Sequence, residues 1–421
     1  MNYTETLNYI HSLERFGVKP GLERISELCK KSGNPQKDLK IIHVAGTNGK
    51  GSTSTMIANM LMCAGFKVGL FISPYVTDFR ERIQINGEMI DRQSLIESVV
   101  TIKNIREDGD IPATEFEVIT AAAFLCFKKH KCDYVVLEVG LGGRFDATNI
   151  IESPQACVIA SVSFDHQSVL GDTIEKIAFE KCGIIKDGSP VISYPLQNSE
   201  ALSVIEKTCV DKNSELIIPD IDALSFKNSD LLGNTAVYKN IDFSLNLPGK
   251  HMVYNAITAI EAVKCVLPNI TNEQIKNGLK NTVMPARLEI LSNSPLVIMD
   301  GGHNEECAIA LRNYLSENLK NKEILAVCSM MADKDYDKYL AEVLPFVKKI
   351  IICRVNMERS LACNELCNAA EKYCKETQII PSTSDAVLYA LKQADSFDAI
   401  IICGSFYLAG EVRQIIREAL K

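Results

Sequence analysis

Residues His43 to Ser52 read HVAGTNGKGS and follow the apolar run LKII. Glycines on both sides of Lys50 let bare backbone N–H groups approach an oxygen anion. A helix starting there would aim its positive end at the same anion. Thr47, Asn48, Gly49, Lys50, Gly51 and Ser52 are therefore candidate phosphate ligands, against the plainer reading of a glycine-rich turn with an exposed lysine. The spacing departs from the usual G-x-x-x-x-G-K-[ST] loop. The first glycine is too close to Lys50, and Gly51 stands where a Ser or Thr hydroxyl would hold Mg²⁺. A metal would take its hydroxyl elsewhere, from Ser73 at the end of KVGLFIS or from Ser52.

Other reactive groups also follow apolar runs. Glu138 ends DYVVLEVG, where an unpaired carboxylate is costly to bury. His166, in SFDHQSVLGDT, is either a metal ligand or a hydrogen-bonded loop histidine, and Mg²⁺ prefers oxygen. In GDTIEKIAFEKCGIIK, Asp172 can cap a helix that places Ile174, Ile177 and Lys181 on one face. A lysine there either snorkels or works. If buried, its amine is less basic and can take up CO₂ as a carbamate, a new carboxylate for a second metal. Arg80 and Arg82, in SPYVTDFRERIQING, can meet an anionic substrate or form a solvated charge cluster. Further on, Arg287 in MPARLE can reach a phosphate and Asp300 in MDGGHN a ribose hydroxyl, with His303 and Asn304 beside them. The alternative for DGGHN is a plain turn.

The elements that must position these residues follow an α/β pattern. IIHVAG, KVGLFIS, DYVVLEVG and ACVIASVS read as buried parallel strands. STSTMIANMLMCAG and TEFEVITAAAFLCFKKH read as helices between them, the second opened by a Thr114/Glu117 capping box. Ligands gather at the carboxyl ends of such strands, so the loop at Lys50, Ser73, Glu138 and His166 are expected along one edge. SELIIP, NTAVYKN and IDFSLNL read as strands extending the same sheet, and PGKHMVYNAITAIEAVKCV as a helix. A second α/β pattern follows MPARLEIL, with strands EILAVCSM, KKIIICRV and DAIIICGS. Two domains are expected, residues 1–283 and 284–421, with a hinge near Asn281–Pro285.

A chain of 421 residues with 47% hydrophobic content can bury more than one core. It has no long apolar run and no secretory leader, so a cytoplasmic protein is expected. The net charge of −8 argues against nucleic acid or an anionic membrane as partner. The fifteen cysteines are scattered without a C-x-x-C. Even Cys363, Cys367 and Cys374 read as buried thiols rather than a zinc site.

In combination GLERISEL, HVAGTNGKGS, SPYVTDFRERI, LEVGLGGRFDATN, SFDHQSVLGDTIEKIAFEKCGIIK, MPARLE, DGGHN and GSFYLAGEVR resemble the folylpolyglutamate synthases. The likeness is to the bacterial bifunctional dihydrofolate synthase/folylpolyglutamate synthases of the Mur ligase superfamily, and it spans nearly the whole chain. It implies an N-terminal P-loop-type, mostly parallel sheet domain and a smaller Rossmann-like C-terminal glutamate-ligase domain. It implies an ATP-dependent ligase that phosphorylates a folate or dihydropteroate carboxylate and transfers the acyl group to L-glutamate. Lys50, Glu138, His166 and Lys181 would be catalytic. Ser73, Glu138, His166 and carbamylated Lys181 would hold two Mg²⁺ ions. Asn255, Arg287, Asp300 and His303 would contact ATP from the far side of the cleft. The pterin would lie by the N-terminal segment, Arg82 and Phe116, and the glutamate by Asp335, Ser405 and Tyr407. Three positions depart from the family pattern: Ala286 replaces a usual glycine, Met252 follows His251 where Gln is usual, and Tyr75 stands for a usual histidine. They bear on substrate preference. A monomer is expected, since the two domains complete the site. Competing readings are a cell-wall precursor Mur ligase, a nucleotide-gated switch and a P-loop hydrolase. The first lacks room before Gly46 for its extra domain.

Overall fold

The computed structural model describes residues 1–14 and 20–421. Strand Ile41–Ala45 lies at the centre of an eight-stranded sheet, between Tyr134–Glu138 and Ala156–Ile159, parallel to both. Val68–Phe71 pairs parallel with the far side of Tyr134–Glu138. These central strands are buried on both faces, which explains their nearly unbroken apolar runs. Because all four run the same way, their carboxyl ends share one edge. The Lys50 loop, Ser73, Glu138 and the segment at His166 therefore leave the sheet together, as expected from the sequence.

One face is covered by helices Lys50–Cys63, Lys250–Val266 and Asn272–Lys280. The other is covered by Glu115–Lys129 and its neighbours. The Thr114/Glu117 capping box forms, with Glu117 Oε2 accepting the Thr114 N–H at 2.8 Å. Lys250–Val266 is buried nearly all round, which suits a central helix.

The segment from 190 to 247 departs from expectation. Val191–Ser193 and Leu216–Ile217 do extend the main sheet. Leu224–Ser229, Asn234–Tyr238 and Ile241–Leu245 instead form a separate three-stranded antiparallel sheet. Short loops join these strands as hairpins, and in the last two the buried residues alternate with partly or fully exposed ones. Alternation of this kind marks a sheet with one wet face, not a doubly covered parallel one.

Beyond Lys280 the chain runs irregularly to Glu289 and enters a six-stranded sheet. Its order is Glu289–Asn293, Leu296–Met299, Ala399–Cys403, Ile324–Cys328, Lys349–Ile352 and Glu376–Ile379, parallel except for the first strand. Two apolar clusters cover its faces. Val76, from the segment after Ser73, is buried within one of them. Among the described residues no helix is long and apolar enough to cross a membrane. The cysteines are unpaired thiols, most of them buried, and no group of three His, Cys, Asp or Glu is arranged to hold a metal among the described residues.

Candidate active site

Gly49 is left-handed (φ 78°) and forms the cap of helix Lys50–Cys63. The helix's first N–H groups have no partner within it and face the loop. The loop is fixed to the exit of the neighbouring strand. Thr47 N–H donates to Ser161 O at 2.6 Å, and Thr47 Oγ1 donates to Ser163 O at 3.0 Å. Lys50 Nζ curls back onto Thr47 O at 2.9 Å, inside the concavity where an anion would lie.

Glu138 is buried and accepts the Ser73 N–H at 2.7 Å. Burial pushes its carboxyl up from the usual range, while Lys50, the Ser73 N–H, Arg287 and Arg82 pull it down. The Ser73 hydroxyl makes no hydrogen bond among the described residues. Arg82 lies against the rings of Tyr75 (5.2 Å) and Phe79 (5.7 Å), and its Nε is buried with no hydrogen-bond partner. Burial lowers its pKa, and Glu115, Tyr75, Tyr407 and Glu138 counter that. Phe116 packs beside Phe71 at 5.9 Å and is only half-buried.

Lys181 does fall on the buried face with Ile174 and Ile177. The cap of that helix is Thr173, not Asp172: Thr173 Oγ1 accepts the Lys176 N–H, while Asp172 pairs with Lys176 at the surface. Thr173 holds the extended backbone a cap needs, one residue closer to the helix. The Lys181 amine donates to Gly46 O at 2.8 Å. Burial, then the nearby Lys50 charge, lowers its pKa to about 7. Gly143 makes this placement possible, since a β-carbon there would stand 2.8 Å from Lys181 O. His166 is left-handed (φ 50°) and half-exposed, 3.8 Å from Asp165. Its pKa falls through burial, opposed by Asp165 and helped by Lys334, Lys50 and Lys181.

Arg287 comes from the C-terminal side and stacks on Phe406 at 4.3 Å. Its neighbours Ala286 (φ 55°) and Leu288 (φ 45°) are both left-handed, so the arginine sits at the crest of a strained turn. Asp300 holds that turn, its carboxylate accepting Leu288 N–H at 3.0 Å and Gly302 N–H at 2.9 Å. His303 is half-buried, and desolvation with Lys334 nearby lowers its pKa to about 4, which favours the neutral imidazole. Asn48, Gly49, Ser52, Asn255, Arg287 and Asp300 line one cleft. Asn255, on helix Lys250–Val266, stands beside Gly49 on the near side of it, not on the far side with Arg287 as the sequence suggested.

Of the residues expected near glutamate, Ser405 caps helix Phe406–Ala419, and Tyr407 accepts from Arg359 at 2.5 Å and lies near Arg82. Asp335 caps helix Tyr336–Val343 and pairs with Lys338 at the surface. Its neighbour Lys334 is the one that crosses, binding Asp165 at 2.7 Å. Sequence reasoning did not single out Lys334, Glu306, Ser161 or Ser163. Glu306 accepts from Asn48 at 2.5 Å and from Ser163 at 2.6 Å, and also from Ser161. The one available signal was position, since all four lie just beyond strands already suspected of ending at the site.

Residues 44–263 match the Mur ligase middle domain, and residues 286–406 match the Mur ligase glutamate ligase domain. The dihydrofolate synthase/folylpolyglutamate synthase of Bacillus subtilis is 36% identical over 438 residues, covering 99% of each chain. This chain belongs to the dihydrofolate synthase/folylpolyglutamate synthase family of Mur ligases. The Escherichia coli member is 31% identical over 412 residues, covering 97% of this chain and 94% of its own. Among solved structures, Mycobacterium tuberculosis folylpolyglutamate synthase complexed with ADP superposes with a TM-score of 0.90 at 27% identity, over 98% of both chains. Escherichia coli FolC in complex with DHPP and ADP gives 0.88 at 29% identity, over 100% of this chain and 99% of its own. The fold described above is therefore shared with these solved folylpolyglutamate synthase structures over nearly the whole chain.

Proposed function

We propose that this family member is an ATP-dependent ligase that adds L-glutamate to folates and to dihydropteroate, releasing ADP and phosphate. The observation that carries the reading is that the Lys50 loop and Arg287, from opposite sides of the molecule, line one cleft.

The chemistry must overcome two obstacles. A carboxylate is a poor electrophile, and it must meet an anionic triphosphate. Lys50 and Arg287 lie where they neutralise charge on the γ-phosphoryl oxygens as the acceptor carboxylate attacks. The acyl phosphate so formed is open to the glutamate amine, and phosphate leaves with the new amide bond. Closure of the two sides over the cleft would keep water from the acyl phosphate. Thr47, Asn48, Gly49, Gly51 and Ser52 cradle the phosphates, and Asn255, Asp300 and His303 line or flank the nucleotide cleft.

The residues present fit Mg²⁺. Ser73 offers an uncommitted hydroxyl, and Glu138 a buried carboxylate with one oxygen on a backbone N–H. Mg²⁺ needs few protein ligands when phosphates and waters supply the rest. Bound there, it would add positive charge at the phosphoryl oxygens. A second ion would rest on His166 and on Lys181, once that amine carries a carbamate. The lowered basicity of Lys181 favours its reaction with CO₂.

Arg82 and Phe116 border the acceptor side, with Ser405 and Tyr407 on the glutamate side. Asp335, turned to the surface, is the weakest of that set. The segment Asn281–Pro285 is read as the hinge between an ATP-binding domain, 1–283, and a glutamate-ligase domain, 284–421. The protein is read as a cytoplasmic monomer. Mass spectrometry of the product tests the function. A gain of one glutamyl residue on tetrahydrofolate or dihydropteroate supports it, and unchanged acceptors in the presence of Mg-ATP and glutamate refute it.

A further inference from the structure

Glu306 lies in the first turn of helix Glu305–Asn318, on the C-terminal side of the cleft. Every hydrogen bond of its carboxylate crosses to the other side. Oε1 accepts the Ser161 hydroxyl; Oε2 accepts the Ser163 hydroxyl at 2.6 Å and Asn48 Nδ2 at 2.5 Å. The same helix turn grips the other end of the Asn48 amide. Asn304 Nδ2 donates to Asn48 Oδ1 at 3.0 Å, and Cys307 Sγ donates to it at 3.3 Å. On its own side, among the described residues, the Asn48 side chain has only a long 3.4 Å contact with Ser163 Oγ.

Asn48 precedes Gly49 and Lys50, the residues that set the phosphate loop. Its side chain is thus oriented almost wholly by groups that reach it only when the two sides are together. A carboxylate at the rim of a cleft built for phosphates would repel its ligand, and charge-assisted bonds to three donors are what hold it there. We propose that Glu306 is a positioning residue that latches the two sides together. Through Asn48, it gives the phosphate loop its working geometry only on closure. Closure and phosphoryl transfer are then coupled through one carboxylate. The ligase reading is needed here only for the turnover assay.

The test uses the full-length chain, with Glu306→Ala, Asn48→Ala and the double variant. In solution scattering, ligand-free Glu306→Ala is expected to give a larger radius of gyration than wild type. In turnover, kcat of Glu306→Ala is expected to fall at least tenfold with KM for tetrahydrofolate within about twofold, and the double variant to be no slower than the worse single variant. A scattering profile superimposable on wild type overturns the latch. Additive kinetic losses, or an unchanged kcat, overturn the positioning role. Should Glu306→Ala fail to fold, Ser163→Ala removes one of the same bonds and is read by the same criteria. Should the wild-type chain release no phosphate with folate acceptors, the ligase reading fails while scattering still decides the latch.

Discussion

The amide oxygen of Asn255 lies 2.6 Å from the point where a β-carbon on Gly49 would stand. At Gly51, two residues on, the nearest atoms to such a carbon are a Glu138 oxygen and the Met284 methyl, each at an ordinary 3.6 Å. The two glycines around Lys50 therefore do different things. Gly49 is required by its left-handed backbone and by Asn255. Gly51 is helical and has room for a methyl group, but a longer polar side chain would press on the Glu138 carboxylate.

Gly49→Ala is expected to destabilise the protein by about 1–3 kcal/mol, combining the left-handed strain of an L-residue with the clash. Gly51→Ala is expected to leave stability unchanged or raise it by up to about 1 kcal/mol, as for a helical glycine. Urea denaturation of both variants checks the contrast, and equal losses would show that the two positions are not distinguished in this way.

Lys181 opposes folding while it is protonated. Its folded pKa of about 7 is below the ordinary 10.5, so the unfolded chain binds its proton more tightly. Stability at this site therefore falls as pH drops from 10.5 toward 7, and the whole penalty is present below 7. In chelated, CO₂-depleted buffer, Lys181→Met should raise the melting temperature at pH 6.5; with Mg-ATP and bicarbonate restored, the same variant should have lost ligation. Lys181→Ala should be equally inactive, with partial recovery on adding a short-chain carboxylate. Near wild-type turnover by either variant would remove the carbamate from the account.

Two imidazoles are kept neutral by burial: His43, lowered to about 3 beneath the loops and further disfavoured by Lys186, and His303, lowered to about 4. Both take up a proton on unfolding once the pH falls below 6.5. Between pH 6.5 and about 5, above most carboxylate titrations, each lowers stability with a limiting slope of about 1.4 kcal/mol per pH unit. His43→Gln, remote from the cleft, should flatten the curve of unfolding free energy against pH in that window. A curve of unchanged steepness would contradict the assignment.

Phe406 supports Arg287 at 4.3 Å, and the guanidinium plane is what a stacked site uses. Arg287→Lys keeps the charge and loses the plane, so kcat/KM for ATP is expected to drop tenfold or more. Phe406→Leu should give a loss of similar size with less than about 1.5 kcal/mol of destabilisation. Steady-state kinetics of the pair decides this, since a fully active Phe406→Leu would mean the ring does not orient the arginine.

Much of this could be read from residue types because the information was local. The buried runs at 41–45, 68–71, 134–138 and 156–159 carry their own strand signal. Residues such as Glu138 and Lys181 stand out because charge is expensive in such company. The sheet at 224–245 was harder, because alternation marks a strand without naming the sheet it joins. The capping side chain at Thr173 rather than Asp172 turned on one residue of backbone geometry. Glu306 and Lys334 were invisible for a different reason. Their partners are 145 and 169 residues away, and no periodicity encodes a contact between two separately packed sheets.

The central claim is that this cleft activates a carboxylate for attack by glutamate. Phosphate release from Mg-ATP by the purified chain, with dihydropteroate and tetrahydrofolate in parallel, tests it most directly. The account predicts release with each acceptor only when L-glutamate is present. Release without glutamate, or none with either acceptor, would contradict it.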